Sequence, residues 1–166
     1  GEYVEMIRLK TSVLLAAALK IGAYLADAPA EDAEKLYEFG VKMGLAFQLQ
    51  DDWLDVYGDP KVFGKNIGGD ILCNKKTFML ITALEEANEE QRAALEGWLA
   101  AREYVPAEKI AAVTALYNEI GVGKRCQEMA EALNAEGFAI LDSINLPEER
   151  KAVLKKYACS MLNRNV

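Results

Sequence analysis

Histidine is absent from all 166 residues. Nucleophilic machinery of the Ser-His or Cys-His kind and histidine-built zinc sites are therefore excluded on chemical grounds. The three cysteines, Cys73, Cys126 and Cys159, are odd in number and lack any Cys-x-x-Cys spacing. They suggest neither a disulfide framework nor a zinc ribbon, and they fit a reducing cytoplasm as small buried apolar residues. Basic residues are outnumbered, 19 against 26 acidic, for a net charge of −7. A broad cationic face for nucleic acid is thereby excluded, and any anionic ligand must be held locally, by a few lysines or through a metal. The longest apolar run, from Val13 to Leu19, falls far short of the roughly 20 residues that span a membrane.

Proline is scarce as well, and Pro29, Pro60, Pro106 and Pro147 all fall between segments of helical periodicity. Strand patterning is nearly absent. Val4, Ile7, Val13, Leu14, Ala17, Ala18 and Ile21 recur at three- and four-residue steps, which predicts a first helix starting within a few residues of Gly1. A second runs from about Glu31 through Tyr57, with acidic Glu31 and Asp32 suited to its amino-terminus. Residues 58–69 hold four glycines and Pro60 and read as a loop. Further helices are expected at about 74–87, 89–102, 107–144, interrupted or kinked near Gly121-Val122-Gly123, and 148–163, which amounts to one all-helical domain over 1–166.

The second helix carries the chemistry. From Gly40 to Tyr57 it is apolar around most of its circumference, so it should be largely buried. Within it Gln48, Asp51, Asp52 and Asp55 form a narrow polar stripe. Three carboxylates within one turn repel each other, and burying them uncompensated would cost several kcal/mol. A divalent cation resolves the conflict. Mg²⁺ suits it, since it is held by one or two carboxylates together with water and phosphate oxygens.

The run Phe47-Gln48-Leu49-Gln50-Asp51-Asp52-Trp53-Leu54-Asp55, followed by Gly58-Asp59-Pro60, Gly64-Lys65, Gly69-Asp70 and Lys75-x-Thr77, resembles the second aspartate-rich region of trans-isoprenyl diphosphate synthases, the farnesyl and geranylgeranyl diphosphate synthase family. Upstream, Tyr3-x-x-x-Ile7-x-x-Lys10-Thr11 resembles that family's Lys-Thr helix, and Arg164 its carboxyl-terminal basic residue. From Glu85 to Leu162 the likeness rests on helical pattern alone. It implies an antiparallel helix bundle around a deep cavity and a Mg²⁺-dependent prenyltransferase, with Mn²⁺ as a substitute ion. Such an enzyme condenses an allylic diphosphate with isopentenyl diphosphate to short-chain products, commonly as a homodimer.

Carried over, the resemblance implies Asp51 as leading metal ligand, supported by Asp52 and Asp55, with Asp70 acting through water. It implies Lys10, Lys65 and Lys75 on the diphosphate, Thr11 and Gln48 near the developing cation, and Arg164 at the isopentenyl site. For Asp70 a helix N-cap is a compatible second role; Thr77 also suits a helix start, and Lys76 a solvent-facing position. The family's first acidic motif has no counterpart here, since Asp51-Asp52 is the only Asp pair. The expectation is thus a carboxyl-terminal half, a partial bundle without its amino-terminal helices, inactive alone and exposing apolar surface. A class I terpene cyclase shares the fold and Asp-Asp-x-x-Asp chemistry, but the Lys-Thr, Gly-Lys and Lys-x-Thr elements argue against it. A non-catalytic partner subunit is a second alternative, and a generic acidic helical interaction domain a third, against which the ordered series of motifs argues.

Overall fold

The computed structural model describes residues 1–59, 61 and 67–162, the side chain of Leu162 excepted. Every regular element among the described residues is helical. Helix α1 (Glu2–Ile7) runs through a π-helical turn, Arg8–Ser12, into α2 (Val13–Leu25). Helix α3 (Ala30–Tyr57) follows, with Glu31 and Asp32 in its first turn. Beyond it come α4 (Gly69–Leu72), α5 (Phe78–Glu86), α6 (Glu89–Ala100), α7 (Pro106–Ile120), α8 (Val122–Asp142) and α9 (Glu148–Leu162). No helix of the described residues is long and apolar enough to cross a membrane.

The chain forms two compact units, one of Gly1–Gln50 with Glu128–Val166 and one of Asp51–Gln127. In the first unit α2 and α3 approach so closely that glycine is required. A Cβ on Gly40 would lie 2.6 Å from Ala16 Cα, and one on Gly44 2.7 Å from Ser12 Cα. Lys20 also pairs with Glu34. The partners run 20 with 34, 16 with 40 and 12 with 44, so the two helices are antiparallel, as their short connection demands. The core here gathers Phe39, Met43, Leu141, Ile144 and Ala158, with Leu15, Leu19 and Leu36 packed against it. At the end of α8, Lys151 Nζ donates to the Asp142 carbonyl at 2.9 Å, satisfying a C-terminal acceptor with a cation.

In the second unit α7 packs against α4, α5 and α6. Leu95, Val113, Tyr117, Met79, Leu80 and Ile71 are buried in it.

The structure refines the sequence reading at three boundaries. The helix expected at 74–87 begins only at Phe78, because Thr77 is its N-cap: the Thr77 hydroxyl accepts the Leu80 N–H at 3.3 Å. Ahead of it a single turn, α4, occupies 69–72. Of the interruption or kink expected near Gly121 within 107–144, the structure has the interruption, since Gly121 adopts φ +84° and ends α7 before α8 starts. A left-handed residue terminates a helix outright, and glycine takes that conformation without a Cβ penalty. The cysteines also divide: Cys126 is buried as expected, whereas Cys73 and Cys159 are exposed.

Candidate functional site

The apolar circumference of α3 does bury most of it. Leu49, Leu54 and Val56 are in the core, and Asp52 among them is 1% exposed. Asp51 and Asp55 are half-buried on the same helix. A wholly buried carboxylate needs charged or hydrogen-bonding partners. Asp52 has one in Lys75, whose ammonium donates to Asp52 Oδ1 at 3.0 Å and to Asp70 Oδ2 at 2.7 Å.

The backbone that brings Asp70 and Lys75 to this place is anchored on Asp55. The Asp55 carbonyl accepts the Gly68 N–H at 2.6 Å, and Asp55 Oδ2 accepts the Asp70 N–H at 2.8 Å. Gly68 has φ +83°, and a Cβ there would strike Ile110 at 2.7 Å. Glycine is needed at this point both for the turn and for the close approach to α7. Gly68, and not Asp70, therefore occupies the N-cap of α4. Asp70 sits inside that turn, leaving its carboxylate for Lys75.

Asp52 and Asp70 thus flank one ammonium, with Asp55 bound to the backbone of Asp70 and Asp51 next to Asp52 on α3, so that negative charge is in excess. The titration behaviour follows. Burial pushes the Asp70 carboxyl up; the hydrogen bond and charge of Lys75 oppose this, while Asp55 and Asp52 add to it, and the outcome is above the ordinary value. For Lys75, burial works against the charge but is outweighed by the hydrogen bonds to Asp70 and Asp52, so its ammonium is held more firmly than usual. The two partners of one ion pair thus respond unequally. One lysine draws on two carboxylates, whereas Asp70 has a share of one lysine and feels Asp55 and Asp52 as well.

Among the described residues no three carboxylates or thiolates converge as a ready set of metal ligands. Asp52 faces Lys75, and one oxygen of Asp55 is engaged by the Asp70 amide. The donors are nevertheless all hard oxygens and the charge is in excess, the chemistry that fits Mg²⁺ and not a soft ion.

In the first unit, the Thr11 hydroxyl lies 3.4 Å from Gln48 Oε1, at the long limit for a hydrogen bond. Lys10 is exposed on the π-helical turn. Such turns are rare in helices and frequently occur at functional positions. Lys76 is exposed, as expected. Lys65 and Arg164 lie outside the described residues.

One group beside Lys75 escapes a reading of motifs. Lys109 on α7 is 1% exposed. Its ammonium donates to Asn74 Oδ1 at 2.7 Å and lies 4.3 Å from the centre of the Tyr104 ring. The signal was present in the spacing, since Lys109 stands in step with Val113 and Tyr117 on the buried face of α7.

An all-helical chain with an aspartate stripe on a buried helix and a lysine held among carboxylates defines a class, and comparison with known proteins identifies it. The family model for polyprenyl synthetases matches residues 1–120, and the chain belongs to that family. It is 47% identical over 91 residues, 55% of this chain and 28% of the relative, to a short chain isoprenyl diphosphate synthase of Methanocaldococcus jannaschii. It is similar to a crystal structure of geranylgeranyl pyrophosphate synthase, with a TM-score of 0.89 and 33% identity over 98% of this chain and 51% of that one. It is also similar to the geranylgeranyl pyrophosphate synthase of Corynebacterium glutamicum in complex with isoprenyl diphosphate and magnesium, at a TM-score of 0.85 and 31% identity, covering 99% of this chain and 48% of that one. The chain therefore spans about half the length of the solved structures it matches.

Proposed function

We propose that the protein of which this chain forms the aspartate-rich part is a prenyltransferase that joins an allylic diphosphate to isopentenyl diphosphate. The observation that carries the reading is the Lys75 ammonium held between Asp52 and Asp70, with Asp51 and Asp55 on the same helix as Asp52: an anionic cluster with one built-in cation. Such a cluster attracts divalent cations, and a cation-loaded cluster attracts diphosphate. The C. glutamicum relative, solved with isoprenyl diphosphate and magnesium, supports the same ligand chemistry.

Asp51, Asp52 and Asp55 would hold Mg²⁺, or Mn²⁺ in its place, with Asp70 acting through water. The metal supplies charge that stabilises a departing pyrophosphate. Lys75, Lys65 and Lys10 would bind the diphosphate oxygens and take up negative charge as the allylic C–O bond breaks. Thr11 and Gln48 would present oxygens to the allylic cation; the isopentenyl double bond then attacks it, and loss of a proton leaves the chain one unit longer. Arg164 would assist at the isopentenyl site.

Two finer expectations belong to this reading. The chain by itself should show little or no turnover, because it carries one acidic motif where the reaction uses two; product formation from both diphosphates with Mg²⁺ would contradict that. It should also self-associate, through apolar side chains such as Leu14, Ile21 and Leu25, which are 58 to 83% exposed. The central test is calorimetric titration of inorganic pyrophosphate with and without Mg²⁺. Binding should require the metal and be lost in Asp51→Ala. Metal-independent binding, or binding unchanged in the variant, would refute the assignment.

A further inference from the structure

Lys109 has no counterpart among the groups assigned above, yet it is one of the largest fully buried side chains of the chain. Burying an ammonium is costly unless its donors are matched. Here the partners are neutral dipoles, the Asn74 side-chain carbonyl and the Tyr104 ring face. A methionine would fill the same space without that cost, so the lysine needs a reason beyond packing.

Asn74 supplies it. This residue is left-handed, with φ 51°, in the tight connection between α4 and α5. Its side chain is fixed at both ends: Oδ1 accepts from Lys109, and Nδ2 donates to the Leu99 carbonyl at 3.0 Å. Two residues earlier, the Leu72 carbonyl accepts the Tyr104 hydroxyl at 3.2 Å. Immediately after Asn74 comes Lys75, whose N–H donates to the Asp70 carbonyl at 2.9 Å and whose carbonyl accepts the Thr77 N–H at 2.8 Å. The backbone from which the Lys75 side chain departs is thus clamped on both sides.

We propose that Lys109, acting through Asn74, is a positioning residue for Lys75. It fixes the left-handed turn that aims the Lys75 ammonium between Asp52 and Asp70. A lysine carries four rotatable bonds, and a fixed origin removes part of the disorder that must otherwise be overcome when the ammonium takes a phosphate oxygen. The consequence for ligand binding rests on the diphosphate reading above. The positional claim needs only the ligand-free protein.

The test uses the chain as it stands, with Lys109→Met, which keeps the volume, and Asn74→Gly, which keeps the left-handed backbone but removes both side-chain links. Nitrogen-15 spectra of the lysine ammonium groups should show Lys75 held with slow proton exchange in the wild type and motionally averaged in both variants. Asn74→Asp, which retains an acceptor for Lys109, should restore the ordered signal. Calorimetry with Mg²⁺ and inorganic pyrophosphate should show affinity about tenfold weaker in Lys109→Met. Added to Lys75→Ala, the Lys109→Met change should produce no further loss.

An equally ordered Lys75 ammonium in Lys109→Met and Asn74→Gly overturns the proposal, as do losses that simply add in the double variant. If Lys109→Met fails to fold, Asn74→Gly decides. If the wild type binds no pyrophosphate with Mg²⁺, the diphosphate reading falls and the ammonium spectra alone decide on positioning.

Discussion

Asp52 Oδ1 and Lys75 Nζ lie 3.0 Å apart, the Asp52 side chain wholly out of solvent and that of Lys75 38% exposed. The asymmetry sets what each contributes. The carboxylate has left water, and the lysine, still partly hydrated, bridges it to Asp70. Removing the lysine withdraws a charged donor from a buried acceptor, whereas neutralising that acceptor leaves a lysine that Asp70 and solvent still satisfy.

Lys75→Met should therefore destabilise the chain more than Asp52→Asn. A buried acceptor that loses a charged donor costs about 1–3 kcal/mol, and the partial exposure of Lys75 puts its loss near the lower figure. The double variant should recover part of the loss. Urea unfolding of the three variants measures this, and a Lys75→Met protein as stable as the wild type would show that the pair adds nothing.

Much of this site is legible in the sequence because it lies within one helix. Asp51, Asp52 and Asp55 share α3, where a three- and four-residue step is enough to place them. The burial of Asp52 follows from its apolar neighbours Leu49, Leu54 and Val56. What spacing cannot supply is the course of the chain after Tyr57. That Asp55 anchors Gly68 and Asp70, or that Lys75 turns toward Asp52, depends on a left-handed Gly68, a left-handed Asn74 and contacts with α7 some 35 residues downstream. The division at Gly121 was half visible: two nearby glycines marked a disturbance, but only the backbone angle distinguishes a kink from a stop.

Thr77 has a local role that a stability measurement isolates. Its hydroxyl caps α5, and replacing a threonine cap by alanine costs about 1 kcal/mol. Thr77→Ala should lower stability by that amount, and Thr77→Ser should recover most of it. A thermal midpoint unchanged in Thr77→Ala would remove the cap from the account.

The glycines of α3 and α6 should respond in opposite directions to the same change. Gly40→Ala and Gly44→Ala place a Cβ within 2.7 Å of α2 or the π-helical turn, in each case against a backbone Cα, which cannot swing aside. Overpacking of this kind costs about 1–3 kcal/mol. Gly97, inside α6, has nothing within 4 Å of where its Cβ would stand. Gly97→Ala should stabilise by roughly 0.5–1 kcal/mol through helix propensity alone. Denaturant midpoints of the three variants test both signs, and a stabilising Gly44→Ala would mean that α2 and α3 are further apart than described.

The last expectation concerns alkaline pH. Burial pushes the Cys126 thiol from 9.0 up to about 12, with the Asp52 charge adding to it. Burial raises the Tyr57 and Tyr117 hydroxyls above 10.0, and Lys75 is held above 10.5 by its two carboxylates. In each case the unfolded chain gives up its proton first, so the folded form binds more protons at high pH. Stability from these groups is complete below pH 9 and declines as pH rises from there toward 12. Urea midpoints should be flat on this account from pH 7 to 9 and fall beyond it, with a shallower fall in Cys126→Ala. Labelling at pH 8 offers a separate check on the same thiol. Cys73 and Cys159 should react with a disulfide reagent in the folded chain, whereas Cys126, buried and protonated, should react only after unfolding. Three thiols titrating at one rate in the native protein would contradict its burial.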